Sequence, residues 1–386
     1  MRNPLSAITY FQRNPGKTVP MVFVIVLSVF LIASIATMVN SIDLTIRTIY
    51  AYTRHFTYAI PQRVSLRVPD EQIKVIRDDP RVDRVMEGSI FFTNIKTVMG
   101  RFPFVVLGVE TENREYLIKR IGTSLIEGRM PAEGMPEAVV SAPIAENKKL
   151  KVGDMIAGPT DEGGISGSPI PVRCVGILKG PVWIAFTTKS FADATFITTP
   201  KTTIFTTKNP DDLFAVNDDM MPTGRKGEGK LAPSQVQLLS YQNLVEELRD
   251  SLSSMYLIMT VVNFTVIFVI SLMSGMLSNI YFTQRISEFA VLAAIGYQRS
   301  ALFLRVFAET MLLTSLGWLV GALVTFVFLN YFKTAVFQPR GLFIDPGDPF
   351  GYKFTIPIPF TITAFAVATI AFRLKRLDPV TIIERR

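Results

Sequence analysis

One cysteine and one histidine among 386 residues leave little material for metal or redox chemistry. Cys174 has no partner for an intrachain disulfide, and His55 as the single imidazole makes a His/Cys metal site implausible. Cys174 sits in Val172-Arg173-Cys174-Val175-Gly176, which alternates like a strand, so it reads as a small core residue. Two signatures of catalysis are also missing. There is no G-x-S-x-G nucleophile elbow and no G-x-x-x-x-G-K-[ST] phosphate loop, and the carboxylates are scattered. Charge is scarce as well, at 19% of residues against 49% hydrophobic, with a mean hydropathy of +0.33. That is too apolar for an ordinary soluble protein and too charged for one lying wholly in a membrane.

The hydrophobicity is localised. Segments 19–39, 257–281, 302–332 and 355–372 each supply about the 20 mostly apolar residues that a bilayer core requires, which gives four spans. The first run is longer than the apolar region of a signal peptide, and Ala33-Ser34-Ile35-Ala36 is a poor cleavage site, so it reads as an uncleaved anchor. Basic residues flank the inner ends: Arg2, Arg13 and Lys17 before the first span, and Arg285 and Arg299 after the second. Arg373, Lys375, Arg376, Arg385 and Arg386 follow the fourth. The positive-inside rule then expects both termini in the cytoplasm and segment 40–256 outside. That outer segment carries as many basic as acidic residues, so the formal net charge of +8 belongs to the membrane portion. A sequence pI near 9.5 therefore reflects topology and not nucleic-acid binding.

Before the first span, Leu5, Ile8, Tyr10 and Phe11 allow a short interfacial helix or an irregular basic tail. After it, segment 41–58 lacks Pro and Gly and is expected to continue the helix outward. Segment 233–255 repeats Val236, Leu239, Leu244, Leu248 and Leu252 at a helical period, starting at Ala232-Pro233-Ser234. Together they would form a stalk. Between them, strands are expected at 63–68, 85–97, 102–109, 137–141, 172–178 and 194–199, with helices at 70–79 and 141–147. Segments 161–168 and 220–230 read as loops. The fold class is thus an α-helical membrane protein of one plus three transmembrane helices, with a mixed α/β extracytoplasmic domain on a helical stalk.

Segment 283–301, TQRISEFAVLAAIGYQRSA, is the leading site candidate. Phe289, Leu292 and Ile295 could pack in a partner's groove, with Arg285, Glu288 and Arg299 setting orientation by charge and Gly296 ending the turn. The periodicity fits an interfacial helix resting on lipid headgroups equally well. Arg305 and Glu309 lie four apart near the inner end of the third span, where a charge is costly; a snorkelling structural pair accounts for both. Ser271-x-x-x-Gly275 and Gly317-x-x-x-Gly321 permit close helix packing, within one subunit or across a dimer.

Three motifs carry a resemblance. Glu127-Gly128-Arg129-x-Pro131, then Glu137-Ala138-Val139-Val140-Ser141, then Leu150-Lys151-Val152-Gly153-Asp154 resemble the extracytoplasmic domain of MacB-type permeases. Arg285-x-x-Glu288 with Ala293-Ala294-Ile295-Gly296 resembles the inner loop of that family. Leu374-x-x-Leu377-Asp378-Pro379-Val380 resembles its tail. With the one-plus-three layout, the chain is similar to an FtsX/MacB-type permease of an ABC system along nearly its whole length, without a fused ATPase domain.

The resemblance implies a non-enzymatic permease subunit that binds no cofactor itself, with ATP and Mg in a separate ABC ATPase docked on segment 283–301. It implies a second permease copy or paralogue, with dimer contacts at Ser271, Ser274, Gly275 and Ser278 preferred over Gly317 and Gly321. A periplasmic adaptor and membrane lipid are further expected partners. The expected division is a cytoplasmic segment 1–17, spans 18–40, 257–282, 302–332 and 355–373, an outer domain 41–256, an inner loop 283–301, an outer loop 333–354 and a cytoplasmic tail 374–386, in the inner membrane. Substrates handled at the outer face would be a lipid, lipoprotein, peptide or drug. The alternative is a transmembrane regulator that activates an envelope partner such as a cell-wall hydrolase.

Overall fold

The computed structural model describes residues 15–62, 65–97, 100–159, 168–197, 199–222, 229–284, 291–292, 294–338 and 342–375. They divide into two compact units. One comprises residues up to 41, 254–333 and 344 onward; the other comprises 42–253 and 334–343.

The first unit is a helical bundle. It contains most of α1 (Pro15–Ile49), the membrane half of α7 (Tyr241–Gln284), α8 (Arg299–Phe332), the short α9 (Pro349–Lys353) and α10 (Pro357–Lys375). Four of these helices are long and apolar enough to cross a membrane. Their packing depends on small residues. A Cβ added to Gly321 would stand 2.8 Å from Val29 Cβ, and one on Gly317 3.0 Å from Ile25, so α8 lies almost backbone-deep against α1. Gly275 of α7 abuts Phe365 of α10 in the same way. Around these contacts Met21, Ile25, Val29, Ile32, Leu313, Ile358 and Ile362 form the buried apolar centre. Asp348 caps α9 through the Phe350 N–H, with Pro349 at the first helical position where its missing N–H is harmless.

The second unit is a mixed sheet domain. Its strands are β1 (Thr57–Pro61), β2 (Val82–Thr97), β3 (Gly100–Val109), β4 (Ser124–Gly128) and β5 (Glu137–Ser141). They continue with β6 (Met155–Ala157), β7 (Val172–Lys179), β8 (Ala185–Thr188), β9 (Lys201–Thr207) and β10 (Val236–Leu239). The order is β10-β1-β9-β2-β3-β8-β5-β7-β4, with β6 paired to β7. Only β3·β8 and β5·β7 run parallel. The helices are α2 (Asp70–Arg77), α3 (Thr111–Ile121), α4 (Ala142–Lys148), α5 (Lys189–Thr195) and α6 (Asp212–Met220). Gly122 ends α3 in the left-handed region, its N–H returning to Ile118 and Lys119. Trp183, Phe56, Phe91, Phe104 and Phe186 fill the larger core. Phe205, Leu213, Val216 and Val236 belong to a smaller one.

Four expectations from the pattern need correction. The first stalk helix stops at Ile49; a 3-10 turn (Ala51–Arg54) follows, and β1 begins at Thr57. The strand expected at 63–68 is displaced, since 65–69 are not strand and Leu66 is half exposed, while the well-buried Thr57–Pro61 pairs with β9 and β10 instead. Within 233–255 the first residues form β10 and not helix. Val236 and Leu238 point inward and Gln237 outward, a period of two that overrides the leucine spacing once β1 offers its edge. At 194–199 the chain ends α5, which Thr188 caps by accepting from the Phe191 N–H. The segments expected as loops at 161–168 and 220–230 lie largely outside the described residues.

Candidate functional site

The segment joining α7 to α8 is described at Val291, Leu292 and from Ala294 onward; Arg285, Glu288 and Phe289 lie outside the described residues. Its second half is a helical turn closed by glycine. The Ile295 N–H donates to Val291 O at 3.0 Å and the Tyr297 N–H to Leu292 O at 3.1 Å, while Gly296 takes φ +103°. An L side chain at that φ is strained, which explains the glycine locally. Gln298 then caps α8 in an extended conformation, and Arg299 is its first residue. Three apolar side chains are left open here: Val291, Ile295 and Tyr297, with Ile295 71% exposed, while Leu292 is half-buried.

Just inside α8, Arg305 Nε donates to Glu309 Oε1 at 3.1 Å, and both side chains are largely buried. The pair satisfies itself along one helix face. The small-residue positions are occupied within the chain. Ser271 Oγ donates to Thr361 Oγ1 at 2.9 Å, Gly275 meets Phe365, and Ser278 Oγ lies 3.8 Å from Met21 Sδ. Gly317 and Gly321 face α1. The preference for Ser271, Ser274, Gly275 and Ser278 as dimer contacts is therefore corrected: this face of α7 is buried against the chain's own α1 and α10.

In the sheet domain the quoted motifs turn out to be scaffold. Arg129 holds Glu137 with both guanidinium arms, and the Ala132 N–H adds a third donor to the same carboxylate. The Arg129 guanidinium keeps Glu137 below its ordinary carboxyl range. In the Leu150–Asp154 stretch, the Lys151 N–H donates to Asp154 Oδ2, and Gly153 at φ +105° donates to Cys174 O. Cys174 is fully buried, and burial pushes its thiol up to about 11, as befits a packing residue.

Two buried polar groups escaped the sequence pattern. Arg114 on α3 is 3% exposed with Nε and Nη1 unpartnered, and burial lowers its pKa; only Nη2 donates, to Thr111 Oγ1. Asn263 on α7 is 2% exposed with neither amide atom partnered. A lone asparagine inside an apolar run was the available signal for the second; the first has none short of the fold.

Residues 256–376 match the family described as FtsX-like permease C-terminal. Among solved structures, the chain resembles the extracellular domain of the noncanonic ABC-type transporter YknZ from Gram-positive bacteria at 13% identity. That match covers 42% of this chain and 88% of that one, with a TM-score of 0.27. It also resembles the periplasmic region of MacB from Actinobacillus actinomycetemcomitans, at 7% identity over 50% and 92% of the two chains, TM-score 0.28. A domain of a putative permease protein from Porphyromonas gingivalis matches at 12% identity over 48% and 86%, TM-score 0.25. No curated protein matches the chain. The part of the chain from Tyr256 onward is thus of the FtsX-like permease type, in a multi-pass membrane protein with an α/β sheet domain between its first and second spans.

Proposed function

We propose that this FtsX-like permease chain is the membrane subunit of an ABC system in which a separate ATPase, holding ATP and Mg, drives movement of the sheet domain at the outer face. Both termini and the segment between α7 and α8 are cytoplasmic in this reading, as their basic flanks require. One observation carries it. A loop between two spans exposes Val291, Ile295 and Tyr297 around a glycine-closed helical turn, which is what a short helix needs to seat in a partner's groove and what a polar connector does not. The work done outside is extraction or export of a lipid, lipoprotein, peptide or drug. A second copy or paralogue completes the unit. It packs on the outward apolar faces of α1 and α7, such as Leu27 and Phe264, because the small-residue face is already filled.

The test uses the full chain co-expressed with its ATPase and reconstituted in lipid. Ile295→Asp should release the ATPase on affinity purification. Glu288→Lys should leave a folded complex that hydrolyses ATP at a rate indifferent to the permease. A complex that survives I295D, with hydrolysis still responding to the permease in E288K, removes the role assigned to this segment.

A further inference from the structure

The outer half of the helical bundle contains a cluster of polar atoms that the fold leaves unanswered. Ser34 Oγ and Thr37 Oγ1 on α1, and both Oδ1 and Nδ2 of Asn263 on α7, are buried without a hydrogen-bond partner. Thr37 is 3% and Asn263 2% exposed. Such groups in an apolar interior cost roughly 1–3 kcal/mol each when unpaired. Four unpartnered atoms at one level of a bundle therefore call for an occupant.

Their proximity follows from the helix register. Met21 Sδ and Ser278 Oγ lie 3.8 Å apart, fixing one level where α1 and α7 touch. The two helices run in opposite directions, entering and leaving the sheet domain. Equal rises from that contact, about 1.5 Å per residue on each helix, bring residue 263 opposite residue 36. Val266, Ile267 and Ile270 of α7 pack on the cluster containing Ile25, Val29 and Ile32 of α1, consistent with that register. Ser34 and Thr37 are three apart and share a face of α1. Thr37 also lies against α9, since a Cβ on Gly351 would stand 2.1 Å from its Oγ1.

The same helices supply an internal control. A hydroxyl in a membrane helix ordinarily satisfies itself on the carbonyl one turn back. Ser28 does so on Val24 O, Ser41 on Met38 O and Thr48 on Leu44 O. On α7, Thr260 bonds Tyr256 O and Thr265 bonds Val261 O. Ser34 and Thr37 had the same option and are turned away from it, at the level of the one asparagine on the buried face of α7.

We propose that Ser34, Thr37 and Asn263 line a buried hydration site between the first and second spans, occupied by ordered water. An amide and two hydroxyls carry no formal charge, so a fitting guest is neutral and both donates and accepts; a lipid chain does neither, and an ion would find no counter-charge among these three. Water there lets α1 and α7 exchange partners when they shift against each other, because each amide or hydroxyl can change its hydrogen bond without passing through an unpaired state.

Full-length N263C, T37C and F264C variants in lipid nanodiscs test this with 2-aminoethyl methanethiosulfonate, labelling being read as a mass increase. The native chain is the blank, since Cys174 is buried. Phe264 is 71% exposed on the lipid side at the depth of Asn263. A thiol reacts as its thiolate, which requires water, so N263C and T37C should label at least ~10-fold faster than F264C. T37C keeps the test alive if N263C does not fold. Equal labelling at the inward and lipid-facing positions, fast or slow, overturns the proposal. N263L gives an independent reading: its melting temperature should fall or stay level, because water is displaced. A rise would mean that the amide was dry and merely costly, and would overturn it.

Discussion

The bundle and the sheet domain solve the same problem, that of seating polar groups, by opposite means. The sheet domain brings charges together. Asp79 accepts from the Arg81 side chain and backbone and from Lys230, while Arg81 also reaches Asp219. The bundle avoids charge beyond the Arg305–Glu309 pair among its described interior residues, and instead turns hydroxyls onto carbonyls and places glycines where helices meet. The difference follows from solvent. Near water an ion pair can shed part of its desolvation cost, whereas at bilayer depth close backbone approach and neutral hydrogen bonds are the available sources of attraction.

Each side of that comparison can be broken separately, because the two tryptophans fall one to each unit, Trp183 in the sheet core and Trp318 in the bundle. The largest effect is expected for Gly321→Leu. Its side chain would enter space held by Val29 and the Val26 backbone, costing about 3 kcal/mol. Trp318 emission should then melt early while Trp183 keeps its transition. Equal loss at both tryptophans would show that the units do not unfold separately.

Asp79→Ala comes next, at about 2 kcal/mol, by leaving Arg81 and Lys230 short of their acceptor. It should be seen by Trp183 alone. The Arg81 hydrogen bonds hold the Asp79 carboxyl well below the usual range, with Lys230 adding to them. A depressed folded pKa means that the stabilisation is fully present above the unfolded value of about 4 and is lost as pH falls below it. The Trp183 melting temperature should therefore drop below about pH 4 in the native chain, and less so in D79A. Identical acid profiles would remove Asp79 from the account.

Ser271→Ala, which deletes the 2.9 Å bond to Thr361, should cost only about 0.6 kcal/mol by Trp318 melting. A loss several times larger would place the hydroxyl in a network and not in a single pair.

The two units also differed in how far the sequence could be read. The spans were legible because a run of apolar residues has few alternatives at that length. In the sheet domain Glu137–Ser141 and Val172–Lys179 were found where the alternation was clean. It misled at 233–239, where a leucine repeat with helical spacing runs into a strand that only β1 can explain. β9 was missed for a different reason. Lys201–Thr207 is rich in threonine, and its interior place between β1 and β2 buries hydroxyls that no hydrophobic pattern would reveal. Of the candidate site, Gly296 and the exposed Ile295 were readable as a turn with an apolar flank. The occupants of the small-residue face of α7 were not, because Ser271-x-x-x-Gly275 says that something comes close without saying which helix.

Gly128 and Gly176 face each other across β4 and β7, and each excludes a side chain for the other's sake. A Cβ on Gly128 would fall 2.1 Å from Val175 O, and one on Gly176 2.5 Å from Arg129 O. No single substitution at either position can be accommodated by changing the other, since both obstacles are backbone. Over evolutionary time this crossing should be a fixed point of the chain, while Leu125 and Ile126, one turn of the pleat away and exposed, are free to drift.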